Sequence, residues 1–183
     1  MPWFGHSRGI DWTELLRSRR ITIISEAGSG KTFECQAQQR RLFAEGEPAF
    51  FFELSELARS EAPGSLLTPE ELSRVDNWRA ASSDIATFFL DAYDELRLTR
   101  GRFRTALTRL RAFVGANLDR IRLVVTSRPV PFERELIGQL FPLSTPPKKT
   151  RTFVDDVMGS VSQEVSTSAI EKLPPQWRTV CLT

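Results

Sequence analysis

The sequence has 183 residues, 40% of them hydrophobic and 26% charged, which places it among folded chains and excludes wholesale disorder. Lys and Arg number 25 against 23 Asp and Glu, so the chain as a whole has no strong pull toward nucleic acid or an anionic membrane. Its two cysteines, Cys35 and Cys181, lie far apart without clustered histidines, which argues against a disulfide framework or zinc site and fits a reducing, cytoplasmic setting.

Residues 1–20 form a lead-in with no apolar signal-peptide core, and no apolar run approaches the roughly 20 residues that span a bilayer. Neither secretion nor membrane association is expected. Trp12 in this lead-in reads as a packing residue. The core segment, residues 21–141, opens with Ile21-Thr22-Ile23-Ile24-Ser25, a β-branched run of the kind buried on both faces of a parallel sheet. A glycine-containing turn follows, then a helix-compatible stretch from Lys31 to Glu45 with Gly46 placed to end it.

Pro48 to Leu54 predicts a second strand, and Ser55 to Ala80 mixes helical stretches with the turn residues Pro63, Gly64 and Pro69. A third buried strand, Thr87-Phe88-Phe89-Leu90-Asp91, ends on a carboxylate. Between Gly101 and Asn117, Phe103, Ala106, Leu107, Leu110, Phe113 and Val114 recur at helical spacing, with Arg102, Arg104, Arg109 and Arg111 on other faces. These arginines read as a solvated outer surface rather than a nucleic-acid interface, so nucleic acid is not the expected partner. Ile121-Arg122-Leu123-Val124-Val125-Thr126 gives a fourth strand, closed by Ser127-Arg128-Pro129. Residues 142–176 read as a polar loop or insertion, and 177–183 as a last core strand. Because a strand in such a unit ordinarily leads onward, the stop at Thr183 suggests a fragment. Alternating strands and helices predict an α/β fold with right-handed crossovers and a mostly parallel sheet.

The chemistry concentrates in three places. Ser25-Glu26-Ala27-Gly28-Ser29-Gly30-Lys31-Thr32 lies between a strand and a helix and ends in Gly-x-Gly-Lys-Thr. Glycines there let backbone N–H groups close round a phosphate, while the helix N-terminus adds its dipole. Lys31 supplies a cation for the β- and γ-phosphates of ATP, and the Thr32 hydroxyl suits a Mg²⁺ shell. Ser25 stands where the usual pattern begins with glycine. Asp91 ends an apolar strand on the side where open α/β sheets bind ligands, a costly position for a carboxylate without a cation, and it is the second metal candidate. Asp94 and Glu95 follow closely enough for either to orient or deprotonate an attacking water; each could equally cap the next segment or stay solvated. Arg128, at the end of the fourth strand, either senses the γ-phosphate or pairs with a carboxylate such as Asp84 or Glu133. Thr126 and Ser127 are polar neighbours of that site.

Together, Glu26-Ala27-Gly28-Ser29-Gly30-Lys31-Thr32, Phe88-Phe89-Leu90-Asp91-Ala92-Tyr93-Asp94-Glu95-Leu96 and Thr126-Ser127-Arg128-Pro129 resemble the NACHT family of STAND NTPases. Ala92 replaces that family's usual glycine, and Ser25 its first P-loop glycine. The resemblance implies a three-layer αβα P-loop NTPase fold with a five-stranded sheet in the order 5-1-4-3-2. It also implies binding of ATP or ADP with Mg²⁺, slow ATP hydrolysis, a nucleotide-driven switch, and homo-oligomerisation in signalling, in bacteria often antiphage defence. The helical lid, winged helix and sensor repeats that follow in the family are not in this sequence. The alternative reading is therefore a truncated, non-enzymatic regulator that keeps nucleotide binding and engages a full-length NACHT-like partner.

Overall fold

A computed structural model describes residues 11–94, 102–130, 133–143 and 177–182, the last as a backbone path. The element order is α1 (Trp12–Leu15), β1 (Arg20–Ser25), α2 (Lys31–Ala44), β2 (Ala49–Glu53), α3 (Leu54–Arg59), α4 (Pro69–Ala80), β3 (Ala86–Asp91), α5 (Arg102–Val114), β4 (Ile121–Ser127), α6 (Arg134–Leu140) and β5 (Trp177–Leu182). Short 3₁₀ turns, Pro63–Leu66 and Leu118–Arg120, precede α4 and β4. The four strands whose side chains are described run in the order 1-4-3-2, all parallel. On the outer side of β1, Trp177–Leu182 runs parallel to it, with Arg20 opposite Trp177. Four of the predicted core strands, in the expected order relative to one another, and the helices between them are therefore present, with boundaries shifted by up to three residues.

Alternation along each strand divides the interior into two apolar clusters, one per sheet face. Phe88 and Leu90 of β3, with Leu123 and Val125 of β4, pack beneath α3, α4, α5 and α6. Their neighbours Phe89 and Val124 face the other way, under α1 and α2 with Ile21, Ile23 and Leu42. All six residues of β3 are buried, as a strand covered on both faces requires. Around Phe88 the aromatic rings interlock: Phe50 lies 5.4 Å away and Trp78 meets it edge-on at 6.0 Å. Burying each such side chain contributes about 1.5–3 kcal/mol.

Local signals set the element ends. Beyond α2, Gly46 takes φ 91°, and the Glu47 N–H bonds the Leu42 carbonyl at 2.9 Å while that of Gly46 bonds Phe43 at 3.1 Å, a Schellman closure. Thr68 and Glu71 exchange side-chain and backbone hydrogen bonds ahead of α4, and Pro69 occupies its first turn.

Two of the four arginines of α5 depart from the expected solvated face. Arg109 donates to the Leu57 and Ala58 carbonyls near the end of α3, and Arg111 to that of Leu140 at the end of α6. Arg102 and Arg104 are exposed. Helix C-termini present unpaired carbonyls and a negative dipole end, so a guanidinium is a fitting cap. Arg20 does the same inside the molecule. It is buried, and its Nη2 reaches the Phe141 carbonyl at 2.8 Å while Nη1 reaches Ile121 at 3.2 Å. Burial pulls its pKa down to about 10, and neighbouring Arg19 adds to the fall. Among the described residues no helix is long and apolar enough to cross a membrane.

Candidate functional site

The site lies where β1, β3 and β4 end, at the start of α2. Strand β1 delivers the chain at buried Ser25; six residues later α2 begins at Lys31, with Gly30 as its N-cap. Gly28 and Gly30 hold φ 75° and 85°, left-handed values that an L side chain resists. A Cβ at either would meet nothing within 4 Å, so backbone conformation alone demands glycine, and the space above the loop is open. The first N–H groups of α2 have no partner within the helix and face that space with the positive end of the dipole.

The loop closes on its own side chains. Ser25 Oγ and Ser29 Oγ are 2.5 Å apart, so the serine in place of the usual first glycine cross-links the loop. Lys31 Nζ donates to the Ser25 and Glu26 carbonyls, both at 2.7 Å, and reaches Ser29 Oγ at 3.4 Å. Glu26, Ala27, Gly28, Ser29, Gly30 and Thr32 are exposed, and Lys31 is partly so.

Across from the loop, the Thr32 hydroxyl donates to Asp91 Oδ2 at 2.6 Å. Asp91 is 4% exposed, and its other oxygen, Oδ1, accepts from the Thr126 hydroxyl. Thr126 Oγ1 in turn accepts from the Ala92 N–H at 3.0 Å. The carboxylate is thus held between α2 and β4, and the backbone just after it is pinned by the same threonine. Sequence reasoning noted Thr126 only as a polar neighbour; its strand-end position beside β3 was the available signal.

Asp94 and Arg128 come together with each other. Arg128 Nε lies 2.8 Å from Asp94 Oδ2, and the Arg128 backbone N–H donates to Asp94 Oδ1 at 3.2 Å. The carboxylate partner of Arg128 is therefore Asp94 rather than Asp84 or Glu133. The Arg128 side chain is 51% exposed, that of Asp94 13%. Tyr93 joins the same two loops, its hydroxyl accepting from the Glu133 N–H at 3.3 Å. Glu95 lies outside the described residues.

Trp12 stands beside the site as a packing residue, donating to Glu34 Oε1 at 2.7 Å and meeting Phe89 edge-on at 6.0 Å. Cys35, one residue further along α2, is buried. Burial first, then Asp91 and Glu34, push its thiol up to about 12, which removes it as a nucleophile. Sequence reasoning missed Phe33, 69% exposed in the first turn of α2, the one large hydrophobic so placed among the described residues.

A Thr hydroxyl and a carboxylate are hard oxygen donors, the kind Mg²⁺ takes in small number while keeping waters. Adjacent ligands of an octahedral Mg²⁺ would lie about 2.9 Å apart, given metal–oxygen distances of about 2.0–2.1 Å. The 2.6 Å between Thr32 Oγ1 and Asp91 Oδ2 needs little widening to match, so the residues present fit the metal.

Fold and site together define a parallel α/β domain of the P-loop type. No family model matches the chain, and no curated protein does. Among solved structures, AMPPCP-bound DnaA from Aquifex aeolicus is similar over 86% of this chain and 50% of its own, with 16% identity and a TM-score of 0.44. The Aeropyrum pernix Orc1 protein in complex with DNA is similar over 77% of this chain and 42% of its own, with 16% identity and a TM-score of 0.39. The chain spans half the length of the first and less of the second.

Proposed function

We propose that this chain is a Mg²⁺-dependent ATP-binding domain, an NTPase module of NACHT-like STAND type acting in signalling or defence. One observation carries the nucleotide reading. Thr32 at the start of α2 and Asp91 at the end of β3, far apart in sequence, meet at 2.6 Å beside an open glycine loop. The backbone from Glu26 to Thr32 would cradle the phosphates, with Lys31 leaving its two loop carbonyls for the β- and γ-oxygens. Thr32 and Asp91 would hold Mg²⁺, which neutralises charge developing on the transferred phosphoryl group. Arg128 would sense the γ-phosphate, and Asp94 or Glu95 would orient water. Phe33 offers an apolar face beside the loop for the base.

Calorimetric titration tests this. ATP is expected to bind with Mg²⁺ present and to weaken on chelation, and Lys31→Ala should lose about 2 kcal/mol, roughly 30-fold in Kd. A wild-type chain that binds neither ATP nor ADP, or a Lys31→Ala variant that titrates like wild type, overturns the reading.

The engagement of Asp94 by Arg128 favours a second reading, a non-enzymatic regulator that holds nucleotide without turning it over. Single-turnover hydrolysis abolished by Asp94→Asn would exclude it.

A further inference from the structure

Asp94 presents two carboxylate oxygens to Arg128, one to the guanidinium and one to the backbone N–H. Its geometry is that of an anion bound by the residue assigned to sense the γ-phosphate. A carboxylate and a terminal phosphate oxygen offer an arginine the same kind of charge-assisted hydrogen bond, and Nε with its hydrogen cannot serve both fully at once. We infer that Asp94 is a built-in competitor of the γ-phosphate for Arg128, and that this competition sets the preference of the site for triphosphate over diphosphate. The inference rests on the nucleotide reading above.

Burial and tethering give the competition its direction. Asp94 is mostly enclosed and tied to the Arg128 backbone, whereas the arginine side chain is half exposed, so the arginine is the partner with room to move. When ADP occupies the loop, nothing displaces the ion pair, so binding leaves Arg128 where it is. When ATP binds, the γ-phosphate gains Arg128 only after the Asp94 contact breaks, and the free energy of that contact is subtracted from ATP affinity alone. A half-exposed pair is worth little, so the handicap is about two- to tenfold in Kd. The exchange also frees one Asp94 oxygen, Oδ2, in the triphosphate state, the state in which an acid beside the γ-phosphate has a water to orient. Tyr93, adjoining Asp94, accepts from the Glu133 backbone N–H and so ties the chain beside Asp94 to that which follows Arg128.

The test is a double-mutant cycle read as ATP and ADP affinities by calorimetry in Mg²⁺. Asn at position 94 keeps a carbonyl oxygen for the Arg128 N–H and the same shape, so Asp94→Asn is expected to fold as wild type. It should tighten ATP about two- to tenfold and leave ADP unchanged. Arg128→Ala should weaken ATP and leave ADP unchanged, and adding Asp94→Asn to it should produce no further gain in ATP affinity. Raised salt should narrow the difference between wild type and Asp94→Asn, because it screens the pair. An unchanged ATP-to-ADP ratio in Asp94→Asn overturns the inference. So does a gain that persists in the Arg128→Ala background, since simple repulsion between Asp94 and the triphosphate would then account for it. A wild-type chain that binds neither nucleotide overturns the nucleotide reading itself, and the two failures are thereby separated.

Discussion

Ala92 holds a left-handed backbone, φ 63°, immediately after the site carboxylate, and its N–H is taken by Thr126. For an L residue that conformation costs about 1–2 kcal/mol, because Cβ crowds the following carbonyl. Glycine avoids the clash but gives up about 0.5–1 kcal/mol in unfolded-state entropy. Ala92→Gly is therefore expected to stabilise the fold by up to about 1 kcal/mol, seen as a higher urea midpoint at unchanged slope. Cys35 gives a prediction of different kind. Its thiol titrates at about 12 when folded against an ordinary 9.0, so between those values the unfolded chain has lost a proton that the folded chain keeps. Folding then takes up a proton, and stability falls as pH rises through that window. Cys35→Ala should flatten this alkaline loss in urea midpoints compared at about pH 8 and about pH 10.

Helix α4 shows how much a few end residues decide. Thr68 caps it, Glu71 returns the bond, and the helix then carries Val75 and Trp78 into the core. Thr68→Ala should cost about 1 kcal/mol, and thermal unfolding would register it as a lower Tm. Such ends are local, so the sequence discloses them in part: Gly46 was legible as a helix stop and Pro69 as a breaker between segments. The arginine caps were not legible, because the carbonyls they reach belong to helices distant in the chain. Arg111 on α5 finds Leu140 on α6, and no spacing rule connects the two. Hydrophobic periodicity locates the buried face of α5 and leaves the duties of its polar face open.

At the scale of the molecule, the strands and the phosphate-type loop were readable because each is encoded within a few residues: a β-branched run, a glycine pair, a carboxylate ending an apolar stretch. The meeting of Thr32 with Asp91 followed from strand order. The pairing of Arg128 with Asp94 did not, since it depends on how two loops lean together above β3 and β4. The same strand order has a consequence in time. Arg20 on β1 pairs with Leu123 on one side and Trp177 on the other, so the strand that feeds the glycine loop leaves the ribosome early and acquires its neighbours late. Long-range parallel pairing of this kind is slow to form, and an apolar strand kept waiting with open edges is the segment most at risk of joining the wrong neighbour. A chaperone that holds nascent chains would find Ile21-Thr22-Ile23-Ile24 a natural grip until β4 has been made.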